Sequence, residues 1–334
     1  MKSKVWLQKR ANGYYYARYQ LPDGSEKWRS TGKRTKREAM AFVQAHAEPQ
    51  KKLVPVRLVT FADRVCEYVK ANQAYRTFLS YDLALRSFIR IIGDKMLEDV
   101  TRADVDKFKI ARMSEISSIT VNIQLRSLRA IFNLGVRWEL MQSNPFTNVK
   151  MIRLPERVPV FLTRDQFSKL RVTIDGHWMQ DIIVFAVCTG MRQGEILNLQ
   201  WRQVDLERRV VHVTNTESFK TKTGRGRIVP LNDLAVKTLE GRSRKWDLVF
   251  TYKGRPIRAD SLRHLFKRAV RRAELPEAIH FHSLRHTFAS WLVQDGVSLF
   301  QVGRLLGHSD SKTTEIYAHL QPETMHDVVS RLKL

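Results

Sequence analysis

The sequence lacks the features that define several protein classes. Its 334 residues include only two cysteines, Cys66 and Cys188, which lie far apart in apolar helix-like segments. We therefore expect buried free thiols, with neither a disulfide framework nor a cysteine-rich zinc site. No apolar run reaches the roughly 18 residues that a membrane-spanning helix needs. The first residues lack the apolar stretch of a signal peptide, so a cytoplasmic protein without membrane contact is expected.

Acidic residues are also scarce relative to basic ones. The chain has 33 Asp and Glu against 58 Lys and Arg, a formal net charge of +25. The excess is spread over the N-terminal, central and C-terminal parts, whereas a single basic tail would concentrate it. A soluble protein with many solvated lysines is one explanation. The even spread favours instead an extended contact with a polyanion. Double-stranded DNA is a better candidate for this polyanion than a membrane surface.

Residues 1–50 are predicted to form a small α+β domain. Strand-like segments at Val5–Arg10, Tyr14–Leu21 and Glu26–Ser30 are separated by two turn signals, Asn12-Gly13 and Pro22-Asp23-Gly24. Thr35 then has the character of an N-cap for a helix that reaches about residue 47. A small basic sheet is one way to read DNA, and a β-rich interaction module is the alternative.

Residues 58–152 are predicted to form an all-α bundle. Helical periodicity indicates four helices without strands. They are expected at Phe61–Ala71 with Thr60 as its cap, at Arg76–Ile92 before Gly93, after Thr101, and at Ser118–Glu139. Linkers are expected on both sides of this domain, at residues 50–57 and 154–159.

Residues 160–334 are predicted to form a mixed α/β domain that is mainly helical. Thr163 is expected to cap a helix over Arg164–Arg171, and an apolar helix is expected over Trp178–Thr189. Val210–Thr214 and Arg227–Leu231 are predicted strands on either side of a glycine-rich turn. Several helices follow to the end of the chain.

The last domain carries a set of polar residues whose spacing indicates phosphate chemistry. Arg192 follows the turn Thr189-Gly190, and Glu195 lies three residues later, where it can hold the guanidinium by an i,i+3 ion pair. His282 and Arg285 have the same spacing and project from one helical face. Two guanidiniums, a lysine and imidazoles suit a phosphate on which charge builds up. A tyrosine nine residues after a histidine offers a nucleophile.

The order and spacing of these residues resemble the catalytic domain of tyrosine recombinases. The motifs are T-G-M-R-x-x-E at 189–195, H-x-x-R-H at 282–286, L-G-H-S at 306–309 and the tyrosine at 317. Lys222 lies in the predicted hairpin, where this family has its catalytic lysine. Residues 58–150 resemble the family's core-binding domain, and residues 1–50 are similar to the arm-type DNA-binding domain of lambda-type phage integrases.

The resemblance implies a function for each matching residue. Tyr317 attacks the scissile phosphate and forms a 3′-phosphotyrosine, which leaves a 5′-hydroxyl. Arg192 and Arg285 stabilise the charge of the pentacoordinate phosphorus, and Lys222 protonates the departing oxygen. His282 gives acid–base support and His308 binds the phosphate through a hydrogen bond. Because the phosphotyrosine conserves the bond energy, the resemblance implies neither a cofactor nor a metal ion.

Alternatives remain for several of these residues. His282 and His286, with His280 nearby, have a spacing that also suits zinc, although no H-E-x-x-H glutamate accompanies them. Lys220 lies two residues from Lys222 on the same side of the strand. Arg225 and Arg227 are expected to contact the DNA backbone rather than the reacting phosphate. The C-terminal tail, residues 322–334, docks on a neighbouring subunit in this family, or else packs on its own domain.

The function predicted from the sequence is that of a temperate-phage integrase, which integrates and excises a phage genome at attachment sites. The resemblance implies a homotetramer on DNA that binds core and arm sites, with the last two domains clamping the duplex. It also implies a host DNA-bending protein and a phage excision factor as partners. One rival is the same chemistry in a type IB topoisomerase-like enzyme, a mobile-element recombinase or a chromosome-dimer recombinase. The other is a non-catalytic DNA-binding regulator with the same fold.

Overall fold

A computed structural model describes residues 5–20, 25–45, 53–155, 158–174, 176–216 and 226–322. The chain divides into two compact units, Met1–Pro155 and Glu156–Leu334. The predicted fold class is confirmed, because a small N-terminal sheet is followed by helices and then by a mainly helical mixed α/β unit. Cys66 and Cys188 are free as predicted, although each is only partly buried. Among the described residues no helix combines the length and the apolar character needed to cross a bilayer.

The N-terminal residues form a three-stranded antiparallel sheet with one helix. Its elements are β1 (Val5–Lys9), β2 (Tyr15–Gln20), β3 (Glu26–Ser30) and α1 (Lys36–Ala45), with β2 in the centre. Gly13 provides the positive φ of the first turn, at 81°, and Thr35 Oγ1 accepts a hydrogen bond from the Glu38 amide. The first turn and the Thr35 cap therefore follow local chemistry, as the sequence predicts. The second predicted turn, Pro22-Asp23-Gly24, lies outside the described residues.

The two faces of this sheet differ in chemistry. Ala17 of β2 is fully buried, as is Ala39 of α1, so the helix covers that face. On the other face the strand register places Arg18 between Trp6 and Trp28. The Arg18 guanidinium lies 5.6 Å from the centre of the Trp6 ring and 5.7 Å from that of Trp28. The uncovered face thus combines exposed indole rings with a guanidinium, which also pairs with Glu26.

The rest of the first unit is a helical bundle. Its helices are α2 (Leu58–Asn72), α3 (Tyr75–Ile92), α4 (Arg102–Glu115) and α5 (Ser118–Arg137), with a 3-10 turn at Leu97–Asp99. Fully buried phenylalanines form the centre of its core, namely Phe61, Phe88, Phe108, Phe132 and Phe146. The predicted helix start after Thr101 is confirmed, and Thr101 and Asp104 form a reciprocal capping box there.

The predicted start of α2 is wrong. The helix begins at Leu58 rather than after Thr60, which lies inside it. Leu58 is fully buried, so burial extends the helix toward its N-terminus. The amide of Val59 donates to Asp94 Oδ1 at 3.1 Å, and Asp94 also pairs with Arg57. A carboxylate that is distant in sequence therefore satisfies the helix start.

The second unit packs its helices around a small sheet. The described helices are α6 (Arg164–Thr173), α7 (His177–Thr189), α8 (Gln193–Leu197), α9 (Asp233–Glu240), α10 (Ala259–Arg272), α11 (Ser283–Gln294), α12 (Leu299–Leu306) and α13 (Lys312–Glu315). The described strands are β4 (Val204–Asp205), β5 (Val210–Val213), β6 (Arg227–Pro230), β7 (Thr251–Tyr252) and β8 (Arg255–Pro256). β4, β5 and β6 pair in that order and antiparallel, which agrees with the predicted hairpin. Its connection, residues 217–225, lies outside the described residues.

Candidate active site

A buried carboxylate, Glu195, organises the first part of the site. Helix α7 ends at Gly190, whose φ of 60° and ψ of 13° are left-handed, and the chain then enters α8 with Arg192 as its N-cap. Glu195 is 3% exposed and accepts hydrogen bonds from the Arg192 amide at 2.8 Å and from Arg192 Nη1 at 2.9 Å. The predicted Arg192–Glu195 ion pair is confirmed, and it fixes the guanidinium at the start of the helix.

Arg227 is a member of the site that the sequence analysis did not place there. Its guanidinium donates to both carboxylate oxygens of Glu195, at 3.0 and 2.7 Å, and its Nε donates to the Leu305 carbonyl. The side chain is only 10% exposed, because Glu195 and the Leu305 carbonyl hold it; a contact between Arg227 and the DNA backbone stays a prediction. Arg225, its companion in that prediction, lies outside the described residues. The spacing offered no signal, because Glu195 and Arg227 lie in separate segments.

The two arginines determine the ionisation of Glu195. Burial alone raises the pKa of this carboxyl, but the hydrogen bond and charge of Arg227, and then the two hydrogen bonds of Arg192, outweigh burial and lower the pKa to about 2. Glu195 is therefore ionised at neutral pH. One negative charge is shared by two guanidiniums, which leaves the cluster positive.

Arg285 is fixed by backbone carbonyls. It lies on α11, is 4% exposed, and donates to the carbonyls of Gly190 and Leu306, each at 2.7 Å. Both carbonyls belong to helix ends, since Gly190 caps α7 and Leu306 is the last residue of α12. Burial, then the charges of Arg192 and Arg227, lower its pKa to about 9, so the guanidinium stays charged at pH 7. Because neutral carbonyls rather than a carboxylate hold the guanidinium, its positive charge can still attract an anion.

Three histidines surround these cations. His282 is the N-cap of α11, and its ring centre lies 4.9 Å from that of His286, one turn further along. His308 follows the left-handed Gly307 that ends α12, and its Nδ1 lies 2.8 Å from Thr314 Oγ1. Desolvation, followed by repulsion from neighbouring imidazole and guanidinium groups, lowers the pKa of each to about 4. Neutral imidazoles therefore face the site at pH 7.

His280, the third residue of the alternative zinc interpretation, makes other contacts. Its Nδ1 lies 3.0 Å from Ser283 Oγ and 3.0 Å from the Ala278 carbonyl. Within the described part of the chain, no group of three or more His, Cys, Asp or Glu side chains is arranged to hold a metal ion.

Tyr317 lies in the same region, directly after α13. Its ring is 2% exposed and packs in a small apolar cluster with Ala289, Val293, Val302 and Leu306. Its hydroxyl lies 2.6 Å from His286 Nδ1. Burial raises the pKa of this phenol to about 12, and the charge of Arg285 opposes that effect. At neutral pH the phenol is therefore protonated and has a proton to donate.

The structure thus brings together all the predicted site residues that it describes, Arg192, His282, Arg285, His308 and Tyr317. The charge of Arg285 acts on Tyr317, and the charges of Arg192 and Arg285 act on His282 and His308. Lys222 and its alternative Lys220 lie outside the described residues, as does the tail from residue 323 onward. Clustered cations can bind a phosphodiester, and the oxygen of a neighbouring phenol can then attack its phosphorus, with neutral imidazoles nearby to exchange protons.

Comparison with known proteins agrees with this chemistry. The model of the Phage integrase family matches residues 161–324. The tyrosine recombinase XerC of Bacillus subtilis (strain 168) is 28% identical over 291 residues, which are 80% of this chain and 94% of that protein. A tyrosine recombinase of Thermosipho africanus is 27% identical over 271 residues, 77% of this chain and 93% of its own.

Solved structures share the fold. A lambda integrase dimer bound to a COC′ core site has a TM-score of 0.66 at 20% identity and covers 95% of both chains. The Tn1549 transposon integrase in complex with a circular intermediate DNA has a TM-score of 0.67 at 21% identity and covers 81% of this chain and 98% of its own. A lambda integrase tetramer bound to a Holliday junction has a TM-score of 0.64 at 22% identity, with 91% of this chain and 96% of its own covered.

Proposed function

The chain belongs to the tyrosine recombinase family of site-specific recombination enzymes, and we propose that it cuts and rejoins double-stranded DNA through a 3′-phosphotyrosine on Tyr317. One observation carries this proposal. Arg192 and Arg285 are fixed in a cluster with His282 and His308, beside a protonated tyrosine. A phosphodiester in that cluster would meet both its charge partners and its nucleophile.

Each residue has a definite part in the proposed cleavage. The Tyr317 oxygen forms a bond to phosphorus while the bond from phosphorus to the 5′ oxygen breaks. Arg192 and Arg285 bind the phosphate oxygens, whose negative charge grows in the transition state. Lys222 donates the proton that the leaving 5′ oxygen needs. His308 donates a hydrogen bond to the phosphate, and His282 supports proton movement at the same phosphate. A 5′-hydroxyl from a second duplex then reverses these steps and rejoins the strands.

We further propose that the biological reaction is the integration and excision of a phage genome. The arrangement would be an arm-binding domain at residues 1–50, a core-binding domain at 58–152 and a catalytic domain at 160–334. Two coverage values support a part of this chain that the XerC relative lacks and the lambda integrase shares. The XerC relative corresponds to 80% of this chain, whereas the lambda integrase dimer structure covers 95% of it. The uncovered sheet face with Arg18, Trp6 and Trp28 provides a basic, aromatic surface for arm-site DNA.

The proposed assembly is a homotetramer on DNA. Dimers and tetramers are named for the lambda integrase structures of similar fold, and strand exchange between two duplexes needs a nucleophile at each cleavage point. A host DNA-bending protein and a phage excision factor are the further proposed partners, because arm and core sites have to be brought together and the direction of the reaction controlled.

Resolution of chromosome dimers is the second candidate. It is favoured by the XerC relatives. The match with the Bacillus subtilis XerC covers 94% of that protein's length. The two functions differ in the DNA that is used. An integrase requires arm sites as well as a core site and joins two different attachment sites, whereas a chromosome-dimer recombinase acts on two copies of one short site without arms.

Covalent trapping tests the proposed chemistry. The full chain is incubated in EDTA with a duplex that carries its attachment site, which is first identified by footprinting, and that has a nick near the cleavage position. The nick lets the short strand diffuse away, so a protein–DNA adduct accumulates and is seen on a denaturing gel. We expect an adduct with the wild type and none with Tyr317→Phe. Tyr252→Phe is the matched control, because Tyr252 is exposed on a hairpin and outside the cluster.

Three results are informative. An adduct that persists in Tyr317→Phe would retain the enzyme class and reject the nucleophile. Specific binding without any adduct would favour the non-catalytic regulator. An adduct formed on a short core site, with recombination unaffected by removal of the arm sites, would favour the XerC-like function over the phage integrase.

A further inference from the structure

The hydrogen bond between Tyr317 and His286 joins the nucleophile to a residue that has no part in the cleavage scheme above. The Tyr317 hydroxyl and His286 Nδ1 are 2.6 Å apart, which is within the reach that a general base needs. We propose that His286 is the proton acceptor for Tyr317, and that its Nδ1 takes the phenol proton as the tyrosine oxygen bonds to phosphorus. This inference rests on the proposed function, since it concerns the same cleavage step.

The position of His286 in the fold supports this assignment. His286 directly follows Arg285 on α11, and Arg285 is fixed by the carbonyls of Gly190 and Leu306. The side chain that binds the phosphate and the one that takes the proton therefore share a single turn of a well-anchored helix. Tyr317 belongs to the same buried apolar cluster as Ala289 and Val293 of this helix. The cation and the proposed base are thus positioned by one element, against which the Tyr317 segment lies.

The protonation states also agree with a transfer from Tyr317 to His286. Burial raises the pKa of Tyr317, so the phenol keeps its proton and is the donor. Burial, then the charges of His280 and Arg285, lower the pKa of His286, so the imidazole is neutral. A neutral imidazole with its proton on Nε2 accepts at Nδ1. We assign this tautomer on the basis of the phenol donor.

In the proposed step every bond that forms is matched by one that breaks, and each proton has an acceptor. The oxygen–hydrogen bond of Tyr317 breaks and its proton moves to His286 Nδ1, which becomes a cation. The Tyr317 oxygen bonds to phosphorus, the bond to the 5′ oxygen breaks, and that oxygen receives its proton from Lys222. The phenol becomes strongly acidic only as its oxygen bonds to phosphorus, so a base already in contact can assist the attack. In rejoining, the His286 cation returns the proton to Tyr317 as the phenol leaves.

DNA has to reach a hydroxyl that is enclosed in the free protein. The Tyr317 side chain is 2% exposed, so the segment that carries it has to move outward when the phosphate binds. Because His286 is on α11 and Tyr317 is on the segment after α13, this movement changes one partner only. The proposal requires the contact between Tyr317 and His286 Nδ1 to persist or to re-form on DNA.

The test compares substitutions that separate hydrogen bonding from proton transfer. In His286→Asn the amide oxygen can occupy the place of Nδ1 and accept the phenol hydrogen bond, but an amide does not take up a proton near neutral pH. His286→Gln extends the amide toward the position of Nε2 instead. We expect each variant to form the nicked-duplex adduct about 100-fold or more slowly, the lower range for loss of a general base. His264→Asn, on an exposed position of α10, is the matched control and should react at the wild-type rate.

A sulfur-substituted duplex identifies which proton His286 handles. When sulfur replaces the bridging 5′ oxygen at the cleavage position, the leaving thiolate needs no proton. Lys222→Ala should then recover most of its lost rate, whereas His286→Asn should remain slow, because the attacking phenol must still lose its proton. Recovery of His286→Asn on this duplex would show that His286 acts on the leaving group, and would overturn the proposal.

A more acidic nucleophile supplies an independent readout. With 3-fluorotyrosine at position 317 the phenol releases its proton more easily, so the rate deficit of His286→Asn should shrink several-fold. A purely structural function of His286 predicts an unchanged deficit. A faster reaction in His286→Asn than in the wild type would mean that the hydrogen bond holds Tyr317 back, which also rejects the proposal.

The result for the wild type separates the two hypotheses. If wild-type protein forms no Tyr317 adduct, the proposed function fails and the function of His286 fails with it. If wild-type protein forms the adduct and His286→Asn and His286→Gln match its rate, only the function of His286 is rejected. Thermal unfolding and binding to the intact duplex, measured for each variant, identify any loss of rate that comes from misfolding.

Discussion

At the scale of single residues, one carboxylate stabilises much of the positive cluster. Glu195 accepts two hydrogen bonds from Arg192 and two from Arg227. A buried ion pair is costly to break, because the remaining partner keeps its charge in a medium that solvates it poorly. Loss of Glu195 would leave two guanidiniums facing each other and Arg285 close by.

The first prediction concerns Glu195→Gln. The amide keeps the shape of the side chain but removes the charge that offsets Arg192 and Arg227. We expect the free energy of unfolding to fall by about 3 kcal/mol, in the range for a buried pair that loses one partner. Urea unfolding at pH 7 measures it. Asp295→Asn breaks the exposed pair with Arg164 and should change stability by at most about 0.5 kcal/mol. Equal effects in the two variants would show that the buried carboxylate stabilises the fold no more than the exposed one does.

The same substitution predicts a dependence on pH. The folded pKa of Glu195, about 2, is below its ordinary value of 4.5, so the unfolded chain binds more protons in this window. The stabilisation is complete above about pH 4.5 and is lost as the pH falls through the folded pKa. The stability difference between wild type and Glu195→Gln should therefore shrink between pH 4.5 and 2. Unfolding measured at several pH values gives this difference directly, and a constant difference would contradict the prediction.

At the scale of secondary-structure elements, two helix ends meet at Arg285. Helices α7 and α12 both finish in left-handed glycines, Gly190 with φ 60° and Gly307 with φ 69°. These turns direct the carbonyls of Gly190 and Leu306 at the guanidinium. The C-terminal end of a helix dipole is negative, so each helix end favours a cation there. The turns that end α7 and α12 therefore also supply the carbonyls that hold Arg285 in the site.

The second prediction compares two glycines with positive φ. A Cβ on Gly190 would lie 2.4 Å from Phe288 Cδ1, whereas one on Gly296, with φ 84°, meets no atom within 4 Å. Gly296→Ala therefore carries only the conformational cost of about 1 kcal/mol. Gly190→Ala adds a steric clash and should be destabilising by about 2 kcal/mol more. Thermal or urea unfolding separates them, and Gly190→Ala alone should also slow adduct formation. Similar stabilities would show that Phe288 yields without cost.

At the scale of the whole molecule, the charge of +25 predicts DNA binding that depends strongly on salt. Each phosphate contact releases condensed counterions from the duplex, so affinity falls as salt rises. The N-terminal sheet contributes exposed cations to this field. Arg10, for example, lies 4.4 Å from the centre of the Tyr16 ring and 5.2 Å from that of Trp28.

The third prediction concerns Arg10→Ala. We expect weaker binding to arm-site duplexes of any sequence, with the slope of log affinity against log salt reduced by about 0.9 for one lost phosphate contact. Adduct formation on a nicked core site should persist. Gln44→Ala, on an exposed position of α1, should leave the slope unchanged. Binding titrations at several salt concentrations provide the measurement. Loss of core-site cleavage in Arg10→Ala would contradict the proposed division between arm and core binding.

The sequence by itself determined the features that arise from contacts between near neighbours along the chain. The capping boxes of Thr101 with Asp104 and of Thr163 with Gln166 each span three residues, so their helix starts were predictable. The strands around Gly13 and the Arg192–Glu195 pair are equally local. The residue types of the conspicuous motifs at 189–195, 282–286, 306–309 and 317, together with their spacing, were enough to indicate phosphate chemistry.

Only the tertiary structure decided the contacts between distant segments. Asp94 satisfies the start of α2, Arg227 shares the Glu195 carboxylate, and His286 meets the Tyr317 hydroxyl. In each case the partners come from different elements, and no periodicity in the sequence relates them. Burial then settles their chemistry, because a charge or a hydroxyl removed from water must find a partner in the folded chain. That requirement pairs Arg227 with Glu195 and places an imidazole beside the Tyr317 hydroxyl.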